Sequence, residues 1–78
     1  MTIIMQSQNF HLFQQELGSR IQTARKQQGY SQERLAELLD MHRVSIGYIE
    51  QGRQSPKLST LFQIAEILDI PIKDLIPS

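Results

Sequence analysis

The residues with most chemistry to offer lie between Ser31 and Gly52, in the stretch SQERLAELLDMHRVSIGYIEQG. Apolar residues at Leu35, Leu38 and Leu39, then Met41, Ile46 and Ile49, are spaced for two short helices that bury facing sides across a tight turn. The second helix is left with one outward face, built from His42, Arg43, Val44, Gly47 and Tyr48. These groups donate and accept hydrogen bonds or offer small apolar contacts, which suits reading a polar surface. Bond-making chemistry finds no footing. There is no Cys, the two histidines are His11 and His42, and no Gly-rich phosphate loop or paired acid is present. No enzyme, cofactor, metal site or small-molecule ligand is therefore expected, and His11, off the apolar stripe, reads as solvated.

Charge sharpens this. The formal net charge is zero, which argues against an indiscriminate polyanion binder. Between positions 20 and 57, however, seven basic residues stand against four acidic ones, and the flanks balance the excess. A local positive region on a neutral chain suits binding that depends on specific contacts as well as counterion release. At 78 residues the chain is expected to be one small domain. Without Cys it gains no disulfide or thiolate zinc site, so helix packing, with dimerisation, must stabilise it. No run is long and apolar enough for a membrane span, and MTIIMQSQ does not read as a signal peptide.

The remaining chain must position that face. Residues 1–8, with the apolar cluster Ile3, Ile4 and Met5, read as a mobile tail, a lid over the core or a dimer arm, before a single domain over 9–78. Asn9 is placed to cap a first helix whose apolar positions are Phe10, Phe13, Leu17, Ile21 and Ala24, with Gly29 as its stop. Gly18 within it marks a close approach. Ser31 caps helix 2, Gln32 to Leu39, and Asp40 with Met41 makes the turn, Asp tolerating the left-handed conformation. Helix 3 runs from Arg43 to Gln51 and ends at Gly52. Gly47 is exposed mid-helix, either a tolerated weakness or a place where the backbone nears a ligand. After a polar loop, helix 4 covers Leu58 to Leu68 on a stripe of Leu58, Leu61, Phe62, Ala65 and Leu68, and a last short helix covers Ile72 to Ile76.

From about Leu17 to Ile76 the chain resembles the Cro and phage-repressor type of helix-turn-helix, the XRE family. The likeness rests on Arg25, SQERLAELL, IGYIEQG at Ile46 to Gly52, and Pro56 before LSTLFQIAEILDI. It implies an all-α, lambda-repressor-like five-helix bundle that binds double-stranded DNA, usually as a two-fold homodimer. Helix 3 would enter the major groove, where an α-helix fits and each base pair is distinguishable. His42, Arg43, Val44, Gly47 and Tyr48 would then face bases, Arg43 being able to take guanine O6 and N7 together. Gln32, at the start of helix 2, would bind phosphate, as would Arg53, Gln54 and Lys57 after helix 3. Arg25 and Glu50 match a structural ion pair joining helix 1 to the end of helix 3.

Three positions depart from the family pattern. Asp40 stands where Gly is common, His42 where Ser or Thr caps, and Lys57 where a cap for helix 4 is expected; Phe10 to Glu16 also lengthens helix 1. The resemblance implies a cytoplasmic transcriptional regulator, nucleoid-associated when bound to DNA. A stand-alone autoregulator fits best. The alternative is an adaptor or antitoxin-like module of the same fold, binding another chain through Ile72 to Ile76 and the N-terminal apolar residues.

Overall fold

The computed structural model describes residues 6–77, with side chains from Asn9 onward, as five helices in chain order: α1 Gln6–Gln27, α2 Gln32–Leu39, α3 Arg43–Glu50, α4 Leu58–Ile67 and α5 Ile72–Leu75. Among the described residues there is no strand, and no helix is long and apolar enough to cross a membrane. Residues 1–5 of the expected tail lie outside the described residues. From Gln6 the chain is already helical, so Asn9 sits inside α1 and does not cap it. Nothing in Gln6, Ser7 or Gln8 breaks a helix, and an N-cap residue can equally well occupy an interior turn at small cost.

Four helices end in the same way. Gly29, Asp40, Gly52 and Asp69 all have positive φ, between 55° and 80°. The next residue then donates its backbone N–H to a carbonyl five positions back: Tyr30 to Arg25, Met41 to Ala36, Arg53 to Tyr48 and Ile70 to Ala65. This closes the orphan carbonyls of each last turn. Tyr30, Met41 and Ile70 then fold back onto the core, so each cap also aims the chain into the next element. The expected left-handed Asp40 is present; Asp69 repeats it at the end of α4, where residue type and spacing carry no separate signal.

The core is made by Leu17, Ile21 and Ala24 of α1, Leu35, Ala36 and Leu39 of α2, Ile46 and Ile49 of α3, Leu61, Ile64, Ala65 and Leu68 at α4, and Leu75 of α5. Several apolar residues expected inside are outside. Leu38 is exposed on α2, and Leu58 (77%) and Phe62 (55%) are exposed on α4, whose buried stripe runs through Ile64 instead. Phe10 and Phe13 are exposed on the turns of α1 that precede Leu17. Ile64 is fully buried because it shares a face with Leu61, Ala65 and Leu68 at three- and four-residue steps. Leu58 and Phe62 form a second apolar row beside that face.

Gly18 lets α1 meet the end of α3. A Cβ there would stand 2.6 Å from the Glu50 carbonyl oxygen and closer still to that of Ile49. Backbone atoms cannot swing aside as a side-chain tip can. At Gly47 the nearest atom to a Cβ would be Gln32 Nε2 at 4.0 Å, an ordinary contact. Thermal melts should therefore separate the two. Gly18→Ala is expected to destabilise the fold by about 3 kcal/mol or to prevent folding. Gly47→Ala is expected to be neutral or to stabilise by up to about 1 kcal/mol, the helix-propensity gain. Equal melting of both variants would contradict this packing.

Candidate nucleic-acid interface

α2 and α3 are eight residues each, too short to persist alone, so their mutual geometry depends on what they pack against. Ser31 starts α2, its Oγ accepting from the Arg34 N–H at 2.9 Å. The turn through Asp40 delivers His42 as N-cap of α3, but the imidazole makes no capping hydrogen bond. Lys57 likewise precedes α4 without a side-chain cap. Ile46 and Ile49 fix the inward side of α3, and the residues between them are thereby turned outward.

A buried ion pair locks this unit to α1. Arg25 Nε donates to Glu50 Oε2 at 2.6 Å and Nη2 to Oε1 at 3.1 Å, a two-pronged contact. The side chains are 8% and 1% exposed. Arg25 Nη1 also donates to the Tyr30 carbonyl at 2.7 Å. Gln32 completes the cluster from the start of α2, Nε2 donating to Glu50 Oε1 at 3.0 Å. One carboxylate thus ties together the end of α1, the start of α2 and the end of α3.

The outward face carries His42, Arg43 and Val44 exposed, Tyr48 partly so, and Gly47 half-buried beside the Gln32 amide. Arg43 leans toward Glu33 on α2, Nε to Oε2 at 3.7 Å, too long for a hydrogen bond and open to water on both sides. Such a pair contributes under about 1 kcal/mol and does not hold the arginine. The Arg53 guanidinium lies over the Tyr48 ring, 4.8 Å from its centroid. That contact keeps the ring on the outer face and joins α3 to the following loop, where Gln54 and Lys57 are also exposed.

Three of the seven basic residues that made positions 20–57 positive are occupied elsewhere, and Lys26 is exposed at the end of α1. Arg20 pairs with Glu16 at 2.8 Å and donates to the carbonyls of Asp74 and Ile76. Arg34 pairs with Glu37 at 2.7 Å, and Arg25 is buried. Arg43, Arg53 and Lys57 remain on the side of α3 and its loop. Among the described residues no cluster of His, Cys, Asp or Glu is arranged to hold a metal ion.

The helix-turn-helix family profile matches residues 21–75, most of the chain. The chain belongs to the XRE-type family of helix-turn-helix, DNA-binding transcriptional regulators. Among relatives, it is 35% identical over 60 residues to the HTH-type transcriptional regulator SutR of Escherichia coli (strain K12), covering 77% of this chain and 34% of that protein. It is 38% identical over 53 residues to an SPbeta prophage-derived uncharacterized HTH-type transcriptional regulator, YonR, of Bacillus subtilis (strain 168), covering 68% and 49%. The helix-turn-helix chain thus spans a third to a half of the length of these curated relatives. Among solved structures, the restriction-modification controller protein C.AhdI from Aeromonas hydrophila superposes with a TM-score of 0.74 at 32% identity, over 80% of this chain and 94% of that one. The DNA-binding domain of BldD gives 0.75 at 25% identity, over 85% and 96%.

The helix-turn-helix depends on the Arg25–Glu50 pair in a way a melt can read. Glu50→Gln keeps the shape but leaves a buried guanidinium without its counter-charge. It is expected to cost about 3 to 5 kcal/mol; a variant melting like the parent would mean that the pair does not hold α3.

Proposed function

We propose that this domain binds duplex DNA sequence-specifically as a transcriptional regulator, with α3 in the major groove. The observation that carries the reading is the outer face of α3, where Arg43, Val44 and Tyr48 project together while Ile46 and Ile49 anchor the helix from behind. Arg43 has the fork to take guanine O6 and N7, Val44 the methyls for a thymine methyl, and His42 and Tyr48 a donor or acceptor each. Gly47 adds no bulk between them, and packing does not require it to be glycine. Gln32 retains a carbonyl oxygen and a second amide hydrogen beyond its bond to Glu50, and its backbone N–H lies at the positive start of α2, where a phosphate fits. Arg53, Gln54 and Lys57 supply backbone contacts on the far side of α3.

Selection of bound sites from random duplex DNA tests this directly. A recovered two-fold motif with half-sites about 34 Å apart is expected; recovery of no motif at low or moderate salt would overturn it. On the selected site, Arg43→Ala should weaken binding by about 1 to 3 kcal/mol and relax one base position. Equal loss on every duplex would reassign Arg43 to phosphate.

The two-fold site requires two copies, and a second copy is the proposed occupant of the apolar face of α1 and α4. Phe10, Phe13 and Leu58 border a groove floored by Leu17, Leu61 and Ile76, and Phe62 is exposed one turn beyond Leu58 on α4. Their exposed surface is on the order of 500 Å², in the upper part of the range for the largest apolar patch of a monomer, which is often a functional one. Doubled by two-fold symmetry it reaches about 1,000 Å², the least that a specific interface buries. The patch centre carries no charge, so it does not repel its own copy. Sedimentation equilibrium should show a dimer that Phe62→Glu converts to monomer with α-helical content unchanged; a monomeric parent would remove the homodimer from the reading.

A further inference from the structure

The loop from Gly52 to Lys57 carries three of the groups assigned above to the DNA backbone, yet little of its own structure holds it. Its first residues are fixed by the cap of α3, where Gly52 donates to the Ile49 carbonyl and Arg53 to that of Tyr48. Beyond Arg53, among the described residues, no backbone N–H from Gln54 to Lys57 has a backbone partner. Among the described residues, the hydrogen bonds that reach the rest of the loop from another element are that of the Leu61 N–H to the Lys57 carbonyl, which opens α4, and those of Gln14 on α1. Its Nε2 donates to the Gly52 carbonyl at 2.8 Å, and its Oε1 accepts from Ser55 Oγ at 2.8 Å. A single side-chain amide therefore spans residues 52 and 55, where a turn would use its own backbone. The Gly52 carbonyl can only accept, which fixes which end of the amide faces it.

A second feature brings the same two segments together. Gly52 is buried, with φ +74°, and a Cβ there would stand 2.7 Å from Gln15 Cα. The backbone of α1 thus lies directly against the loop, which is what places Gln14 within reach. Both Gln14 and Gln15 precede the span matched by the family profile, which begins at Ile21.

We propose that Gln14 is a positioning residue for DNA binding: its amide holds the 52–57 loop in one arrangement before DNA arrives, so that Arg53, Gln54 and Lys57 need not be ordered on binding. This rests on the reading that the loop meets the DNA backbone. Gln14 itself touches no nucleic acid; it removes part of the ordering cost that association would otherwise carry. A positioning role leaves the number of neutralised phosphates unchanged, whereas a contact residue changes it.

The test uses the full chain and a fluorescently labelled duplex of the selected site, titrated by anisotropy at several salt concentrations. In the free protein, Gln14→Ala should lower the backbone heteronuclear NOE at Arg53, Gln54, Ser55 and Lys57 while leaving α2 and α3 unchanged. Alanine is as good a helix former as glutamine, so α1 is retained. Binding should weaken roughly three- to tenfold, with the salt slope unaltered. Arg53→Ala and Lys57→Ala should each weaken binding and reduce that slope by about one. Parental affinity for Gln14→Ala, beside weakened Arg53→Ala and Lys57→Ala, would overturn the positioning role and leave the DNA reading standing. Loss of affinity with the loop NOE values unchanged would also overturn it. Parental affinity and slope for both Arg53→Ala and Lys57→Ala would remove the loop from the interface, and the inference with it.

Discussion

The buried contact between Arg25 and Glu50 is the constraint from which the rest of the arrangement follows. Taking both charges out of water costs several kcal/mol per ion, and only near-ideal pairing offsets it. That pairing is provided: two bonds between the partners, a third from Arg25 to the Tyr30 carbonyl and a fourth to Glu50 from Gln32. Apolar side chains of similar volume would stabilise the core as well or better. What they would lack is direction. Because each hydrogen bond has a required geometry, the cluster fixes the rotation of α3 about its own axis relative to α1 and α2. The rotation of α3 decides which residues face outward.

Helix termination does the complementary task of fixing where each element begins and ends. α2, α3 and α4 are eight, eight and ten residues long, so each is marginal by itself. The repeated left-handed cap satisfies the last carbonyls, and at three of the four ends it sends the following side chain back into the core. At Asp40 and Asp69 an aspartate takes a conformation that glycine adopts more cheaply. The strain is small because the short carboxyl side chain tolerates this region better than a branched one would.

How much of this is legible in the sequence depends on the range of the interaction. The inward positions Leu35, Ala36, Leu39, Ile46 and Ile49, the Ser31 cap and the left-handed Asp40 follow from local spacing and residue type, and the structure contains them. Leu58 and Phe62 lie outside the core because α4 is apolar on two adjacent faces, and periodicity alone cannot say which one meets the bundle. The start of α1 lies before Asn9 because a capping residue marks a helix start only where the preceding chain departs from helix. Least legible were the long-range polar contacts. Gln32 with Glu50, Gln14 with Gly52 and Ser55, and Arg20 with Asp74 and Ile76 join residues far apart in sequence, and glutamine is too common on helix surfaces to announce such a bond.

Those contacts also change what the charge pattern means. Counted along the chain, positions 20–57 are rich in cations. Counted in space, Arg20 and Arg34 are matched within their own helices and Arg25 is spent inside, so the positive charge beside α3 comes down to Arg43, Arg53 and Lys57. A surface with so few cations gains little from counterion release alone. On the proposed reading, affinity must then come from geometric fit, and fit depends on how rigidly the few contact groups are held. Arg53 is steadied by the Tyr48 ring, Gln32 by Glu50, and the loop by Gln14. The weakly charged surface and the dense polar bracing behind it are two sides of one solution: a domain that binds with few charges must fix their positions before binding.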